Sequence, residues 1–340
     1  MLLLSSQQTG LEYREIVGMK RQTKSLIYTI CNLMIFIVIL YYAAYYLFGI
    51  RLHGRYNFYE GFQGGAGWGQ PPFISGSVFK DLCDYNLDDR YTLVPIDEYI
   101  EKGDKVFMKV ADIPSFIANP PPVPVTVVIS NSDEEFNDAL MRQIKPYVTD
   151  VYAIGCSAAG AKQIPIGFRD DAYTPHKDLV DILANPEISG EKTTLCLVNF
   201  LVETNGGERQ RAVDRFSSEK WATVDKSYLN YGLTKATVFS IPETIQKRLD
   251  YYAMLKRTKF VVSPPGRGAD THRVYETLFF GGIPIIKTSF LDPMYKRLGG
   301  CWIVNDWSEV TEEECNRRWS AKQDTKIQYD ASYWLNIGTV

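Results

Sequence analysis

The stretch KFVVSPPGRGADTHRVYETLFFGGIPII, residues 259–286, decides the predicted fold of this 340-residue chain. It starts as a short apolar strand, continues through a loop of prolines and glycines into a helix, and ends in a second strand. Gly281 and Gly282 stop the helix, since glycine readily adopts the conformations that follow a helix C-terminus. The stretch therefore predicts one strand–helix–strand unit of a parallel α/β sheet.

The same alternation of β-branched runs and helical stretches occurs upstream, with strands predicted at 125–130, 151–155 and 193–200. Such a pattern favours parallel sheets covered by helices. A junction around 175–192 would divide the folded part into two Rossmann-like halves, 73–180 and 181–325, that face each other across a cleft. Residues 326–340 would then form a C-terminal tail.

None of the 23 residues at 26–48 carries a charge. This length is enough for a helix to cross a hydrocarbon core of about 30 Å. We expect a transmembrane anchor here, although a cleaved signal peptide and a buried core helix are alternatives. Residues 1–25 would form a cytosolic tail and residues 49–72 a stem. Basic residues are more numerous before the span than after it, which predicts a single-pass type II protein facing the Golgi or ER lumen.

The net charge and the cysteine spacing narrow the functions that this chain can be expected to have. The net charge of −3 provides no overall electrostatic footprint for DNA or RNA, so we expect no nucleic-acid partner. The cysteines show neither a CxxC motif nor Cys/His metal-ligand spacing, and an odd number of them follows the predicted span. Any site for an anion must therefore be local.

The loop after the strand at 259–263 has the features of such a site. Gly266 and Gly268 allow the backbone to approach a ligand closely, and a helix N-terminus follows, where free N–H groups attract anions. Arg267 and Arg273 can supply positive charge to a diphosphate. Glu276 follows on the same helix face as Arg273 and could accept hydrogen bonds from ribose hydroxyls.

A structural explanation of the same residues stays open. The loop could be an ordinary strand-to-helix turn in which Asp270 or Thr271 caps the helix, with Arg273 and Glu276 as a surface ion pair. No GKS, GKT or GxGxxG motif is present, so ATPase and dinucleotide-binding interpretations are weak.

Other candidates follow predicted strands at the edge where ligands bind in open α/β sheets. Arg209 and Arg211 could reach donor phosphates or could belong to a solvated helix start, and His272 could bind a phosphate or a sugar or be a surface histidine. Asp133 could act as a catalytic base or cap a helix. Asp170 and His176 are further candidates for the base.

The order of these landmarks, from VVISNSDEEF (127–136) through LVNFLVETNGGERQRAVDRF (197–216) to the stretch at 259–286, resembles the exostosin-like glycosyltransferases, in particular their short viral, algal and bacterial forms. The similarity extends over most of residues 120–320. It implies a GT-B architecture, in which residues 73–180 form the acceptor side and residues 181–325 bind the nucleotide-sugar. The chain is much shorter than the large heparan-synthesising members, and residues 73–120 match nothing specific.

The resemblance implies an inverting, metal-independent transfer of a sugar from a nucleotide diphosphate, such as a UDP-sugar, to a hydroxyl of a glycan or glycoconjugate. By this similarity, Glu276 would bind the ribose, while Arg267, Arg273 and the Gly266 loop would face the diphosphate. No cofactor beyond the donor substrate is expected. Two alternatives are a catalytically silent glycosyltransferase-like binding protein and a membrane scaffold that binds no nucleotide.

Overall fold

A computed structural model of the protein describes residues 74–87, 100–169, 191–225, 241–322 and 325–337, without side chains for 241–248. All of them belong to one compact unit, Ala66–Val340. They form two parallel sheets of five strands each, which confirms the predicted α/β class. The predicted span at 26–48 lies outside these residues, and no helix within them is long and apolar enough to cross a membrane.

The first sheet keeps its strands in chain order, and all its pairings are parallel. Its strands are β1 Tyr85–Asn86, β2 Lys105–Met108, β3 Val125–Ile129, β4 Val148–Ala153 and β5 Lys162–Gln163. Helix α1 precedes β1, α2 joins β2 to β3, and α3 joins β3 to β4; they span Gly76–Asp81, Ile113–Ala118 and Asp138–Ile144. The central strand β3 is buried along its whole length, as expected for a parallel strand covered on both faces.

The second sheet has the spatial order β7-β6-β8-β9-β10. Its strands are β6 Thr194–Val198, β7 Ala222–Val224, β8 Thr258–Val262, β9 Ile283–Lys287 and β10 Trp302–Val304. The helices of this half are α4 Gly206–Ser217, α5 Ile241–Lys256, α6 His272–Phe279, α7 Asp292–Leu298, α8 Glu312–Ser320 and α9 Ala331–Trp334. Because the chain turns to one side after β6 and to the other after β8, the topological switch point lies between these two strands.

The two halves share one hydrophobic core. Phe107, Val128 and Tyr152 of the first sheet belong to the same buried cluster as Tyr275 of α6 and Trp334 of α9. The segment 325–337, most of which was predicted to be a tail, therefore packs into the interior. A backbone hydrogen bond of 2.8 Å from Ile74 N–H to the Tyr329 carbonyl joins this segment to the first half.

The buried carboxylate of Asp270 is a second link between the halves. It accepts hydrogen bonds from Ile166 N–H (2.9 Å), Thr271 N–H (2.7 Å), the Tyr295 hydroxyl (2.8 Å) and the Tyr275 hydroxyl. Burial raises the pKa of Asp270, and the four donors oppose that effect. Asp270 therefore anchors the loop after β8 to the first half and does not cap α6, whose N-cap is Thr271.

Gly167 marks a close approach of two backbone segments within the first half. Its φ is +71°, and a Cβ placed on it would lie 2.1 Å from the Ile74 carbonyl oxygen. Phe168 N–H donates to that same oxygen at 2.8 Å. Only glycine fits here, because any side chain would force the two segments apart.

We predict that Gly167→Ala lowers the free energy of unfolding by about 3–5 kcal/mol, since backbone strain at positive φ and steric overlap add together. Gly160→Ala is the matched control, because Gly160 also has a positive φ (+84°) but nothing within 4 Å of its Cβ position. The control should lose only about 1–2 kcal/mol. Urea denaturation of both variants checks this, and equal losses would contradict it.

We predict that Asp270→Asn lowers the free energy of unfolding by about 2–4 kcal/mol, because the amide brings N–H donors towards groups that donate to the carboxylate. Asp214→Asn is the control: Asp214 is exposed on α4 and, among the described residues, accepts a hydrogen bond only from Gln210. We expect the control to change stability by less than about 0.5 kcal/mol. A wild-type melting temperature for Asp270→Asn would show that the link contributes nothing.

Candidate functional site

A cleft of about 270 Å³ opens where the carboxyl ends of the two sheets meet. The first half contributes Ser132, Asp133, Glu134, Glu135, Ile154, Gly155 and Ile166. The second half contributes Asn205 and the loop residues 265–270. The cleft thus lies at the edge where parallel α/β sheets bind ligands, beside the switch point between β6 and β8.

The loop after β8, residues 263–271, presents free backbone amides in this cleft. The N–H groups of Arg267, Gly268 and Ala269 donate no hydrogen bond within the described part of the chain, whereas Gly266 N–H donates to the Gly268 carbonyl at 3.1 Å. Successive free amides form a concave site that favours an anion. The side chain of Arg267 is exposed at the same place.

Two arginines lie behind the loop at the switch point. Arg209, on α4, is 7% exposed and donates from Nε to the Pro265 carbonyl (2.9 Å) and from Nη1 to the Leu201 carbonyl (2.7 Å). Arg273, on α6, donates to the carbonyl of Asn199 at 2.9 Å and to its side-chain oxygen. Both guanidinium groups therefore hold the ends of β6 and β8 together.

The positive charge of these two arginines is not neutralised by a neighbouring carboxylate. Neither Arg209 nor Arg273 forms an ion pair within the described residues. Burial, together with the charge of Arg273, lowers the pKa of Arg209 to about 10. Their guanidinium carbons lie 5.3 Å and 5.9 Å from the Phe200 ring centroid. Two like charges held at one edge of a sheet favour binding of an anion there.

Asp133 faces this loop from the first half. A Cβ on Gly268 would lie 3.5 Å from the Asp133 carbonyl oxygen and 3.7 Å from its Oδ1. Its carboxylate is exposed and makes no hydrogen bond within the described ranges. The alternative that Asp133 caps a helix is wrong, because Asn137 is the N-cap of α3 and accepts from Ala139 N–H and Leu140 N–H.

The remaining sequence candidates occupy different places. Glu276 is 7% exposed, and its Oε2 accepts the Tyr251 hydroxyl at 2.8 Å. His272 Nδ1 lies 2.8 Å from the Gly167 carbonyl, which can only accept, so Nδ1 carries the proton. Arg211 pairs with Glu208, its side chain is 67% exposed, and it does not line the cleft. Asp170 and His176 lie outside the described residues.

Sequence reasoning missed Asn199 and Asn205, and it assigned Asp270 only to a helix cap. Both asparagines follow β6 at the edge where the arginines were sought, so position relative to the strand end was the available signal. Asn205 Nδ2 donates to the Gly266 carbonyl at 3.3 Å. Its role depends on a residue 61 positions away, which local pattern does not reveal.

No protein-family model matches the chain, and no curated protein sequence matches it. The resemblance to exostosin-like glycosyltransferases therefore stays a prediction. Among the described residues, no group of three or more His, Cys, Asp or Glu side chains could hold a metal ion. The expectation of a metal-independent reaction likewise stays a prediction.

We predict that inorganic pyrophosphate raises the melting temperature of the protein, since an anion that binds only the folded state stabilises it. The rise should shrink as NaCl is added, because salt screens the charges at the open cleft. Arg273→Met should reduce the shift, whereas Arg142→Met, an exposed change on α3, should leave it unaltered. The anion site would be refuted by equal shifts in wild type and Arg273→Met, or by no shift at all.

Proposed function

We propose that the protein is a glycosyltransferase that moves a sugar from a nucleotide diphosphate donor, such as a UDP-sugar, to a hydroxyl of a glycan or glycoconjugate. The observation that carries the proposal is a cleft between the carboxyl ends of two parallel sheets, in which free amides and Arg267 on one wall face the carboxylate of Asp133 on the other. The wall with amides and positive charge suits the anionic leaving group, and the wall with the carboxylate suits a general base. The GT-B architecture is part of this proposal.

The donor occupies the wall formed by the second half. Its diphosphate binds the amides of Arg267, Gly268 and Ala269 and faces the arginine charges. The ribose hydroxyls donate to Glu276, whose Oε1 has no hydrogen-bond partner within the described structure, whereas Oε2 accepts the Tyr251 hydroxyl. Because the Glu276 carboxylate is buried, the ribose reaches it only if the nucleotide enters beneath the loop after β8.

The acceptor occupies the wall formed by the first half. Asp133 takes the proton of the acceptor hydroxyl while that oxygen forms a bond to the anomeric carbon of the sugar. The bond from the anomeric carbon to the phosphate oxygen breaks, and the nucleotide diphosphate leaves with the electron pair. Free N–H groups and arginines stabilise the charge that develops on the leaving oxygen, as preorganised donors do in other transfer reactions.

We predict that Asp133→Asn lowers kcat at least about 100-fold, because a neutral amide does not accept the hydroxyl proton. The dissociation constant for UDP should not change, since the donor binds on the opposite wall. Glu134→Gln is the matched control, as it removes the adjacent carboxylate of the same loop.

A panel of nucleotide-sugars and glycan acceptors, assayed with the full-length chain in detergent, checks this prediction. If Glu134→Gln abolishes transfer and Asp133→Asn does not, the base is misassigned although the activity stands. If wild type binds UDP and transfers no sugar in any assay, the protein is the catalytically silent binding protein. The type II anchor at 26–48 and the Golgi or ER location belong to the same proposal and concern residues outside the described ranges.

A further inference from the structure

We propose that Arg209 and Asn205 are positioning residues: they bind the carbonyls of Pro264, Pro265 and Gly266 and thereby hold the loop so that its amides, that of Arg267 first, face the diphosphate. This inference rests on the proposed function, because it assigns how the donor site is built. It differs from the expectation that Arg209 itself reaches the donor phosphates.

Within the described residues, every hydrogen bond of Arg209 goes to a carbonyl oxygen. Nε and Nη2 donate to the carbonyls of Pro265 (2.9 Å) and Pro264 (3.4 Å), and Nη1 donates to that of Leu201 (2.7 Å). Proline has no N–H, so the Pro264–Pro265 pair offers the guanidinium only acceptors. One planar guanidinium thus joins the loop after β6 to the loop after β8 with a geometry that lysine does not reproduce.

Asn205 adds the next carbonyl of the same loop. Its Nδ2 donates to the Gly266 carbonyl at 3.3 Å. In a trans peptide the C=O of one residue and the N–H of the next point in opposite directions. Since the Gly266 carbonyl is turned to Asn205, the N–H of Arg267 points away from it.

The Gly268 carbonyl, two residues further along the loop, is also held by a hydrogen bond. Gly266 N–H donates to the Gly268 carbonyl at 3.1 Å, which directs the N–H of Ala269 to the opposite side. A Cβ on Gly266 would lie 3.0 Å from Arg209 Nη2, so a larger residue here would require that guanidinium to shift. The N–H groups of Arg267 and Ala269 are therefore oriented before any ligand arrives, which lowers the cost of ordering them on binding.

Binding of UDP, inorganic pyrophosphate and uridine to the full-length chain tests the assignment by calorimetry. Arg209→Lys keeps the charge but loses at least one carbonyl contact, so we expect UDP and pyrophosphate to bind about tenfold more weakly. Asn205→Ala removes one hydrogen bond and should weaken both by about threefold. Arg211→Met, on the exposed side of the same helix, should change either affinity by less than about twofold.

Uridine distinguishes positioning from general damage, because it lacks phosphate and should bind both variants as it binds wild type. Wild-type affinity for pyrophosphate in Arg209→Lys and Asn205→Ala would overturn the inference while leaving the proposed function intact, and so would an equal loss of uridine affinity. If Arg209→Lys does not fold, Asn205→Ala decides, since Asn205 makes no capping hydrogen bond to α4. If wild type binds pyrophosphate but not UDP, and the variants lose that binding, the positioning role stands and the nucleotide donor is wrong.

Discussion

The carboxylate of Asp270 is the constraint on which the rest of the site depends. It is 6% exposed and accepts four hydrogen bonds, one of them from Ile166 in the other half of the molecule. Removing a carboxylate from water is costly unless its oxygens are satisfied, and here two tyrosine hydroxyls and two backbone amides satisfy them. Asp270 therefore anchors the C-terminal end of the loop after β8 to the first half.

Arg209 anchors the other end of the same loop. Between these two anchors lie the residues from Gly266 to Ala269, and the amides of Arg267, Gly268 and Ala269 have no acceptor among the described residues. The contact of His272 with the Gly167 carbonyl and the packing of Phe168 on Phe279 hold the first half against α6. The walls of the cleft are thus positioned by contacts of buried and half-buried groups, which leaves the exposed groups Asp133 and Arg267 available for a ligand.

The fold could be predicted because its signals are local. Apolar β-branched runs, the helical stretch at 272–279 and the Gly-Gly stop at 281–282 each lie within a few residues, and each corresponds to an observed strand, helix or turn. The position of the loop at the sheet edge also followed from its place after a strand. Asp133 was predicted to point to the cleft, and its proximity to Gly268 agrees with that position.

The contacts within the site could not be predicted because they join distant parts of the chain. Asp270 meets an amide 104 residues away, and Arg209 meets carbonyls 55 and 56 residues away. A charged residue after a strand suggests ligand binding, yet whether it points to solvent or to the backbone of a neighbouring loop depends on tertiary packing. Arg209 and Arg211 illustrate this: two positions apart on one helix, one is buried against the loop and the other is exposed and paired with Glu208.

A crystal structure of the protein with UDP tests the central claim most directly. The account predicts that the diphosphate oxygens lie about 2.7–3.2 Å from the backbone nitrogens of Arg267, Gly268 or Ala269, with the pyrophosphate open to Asp133 across the cleft. Nucleotide bound elsewhere, or phosphates turned away from these amides, would contradict it.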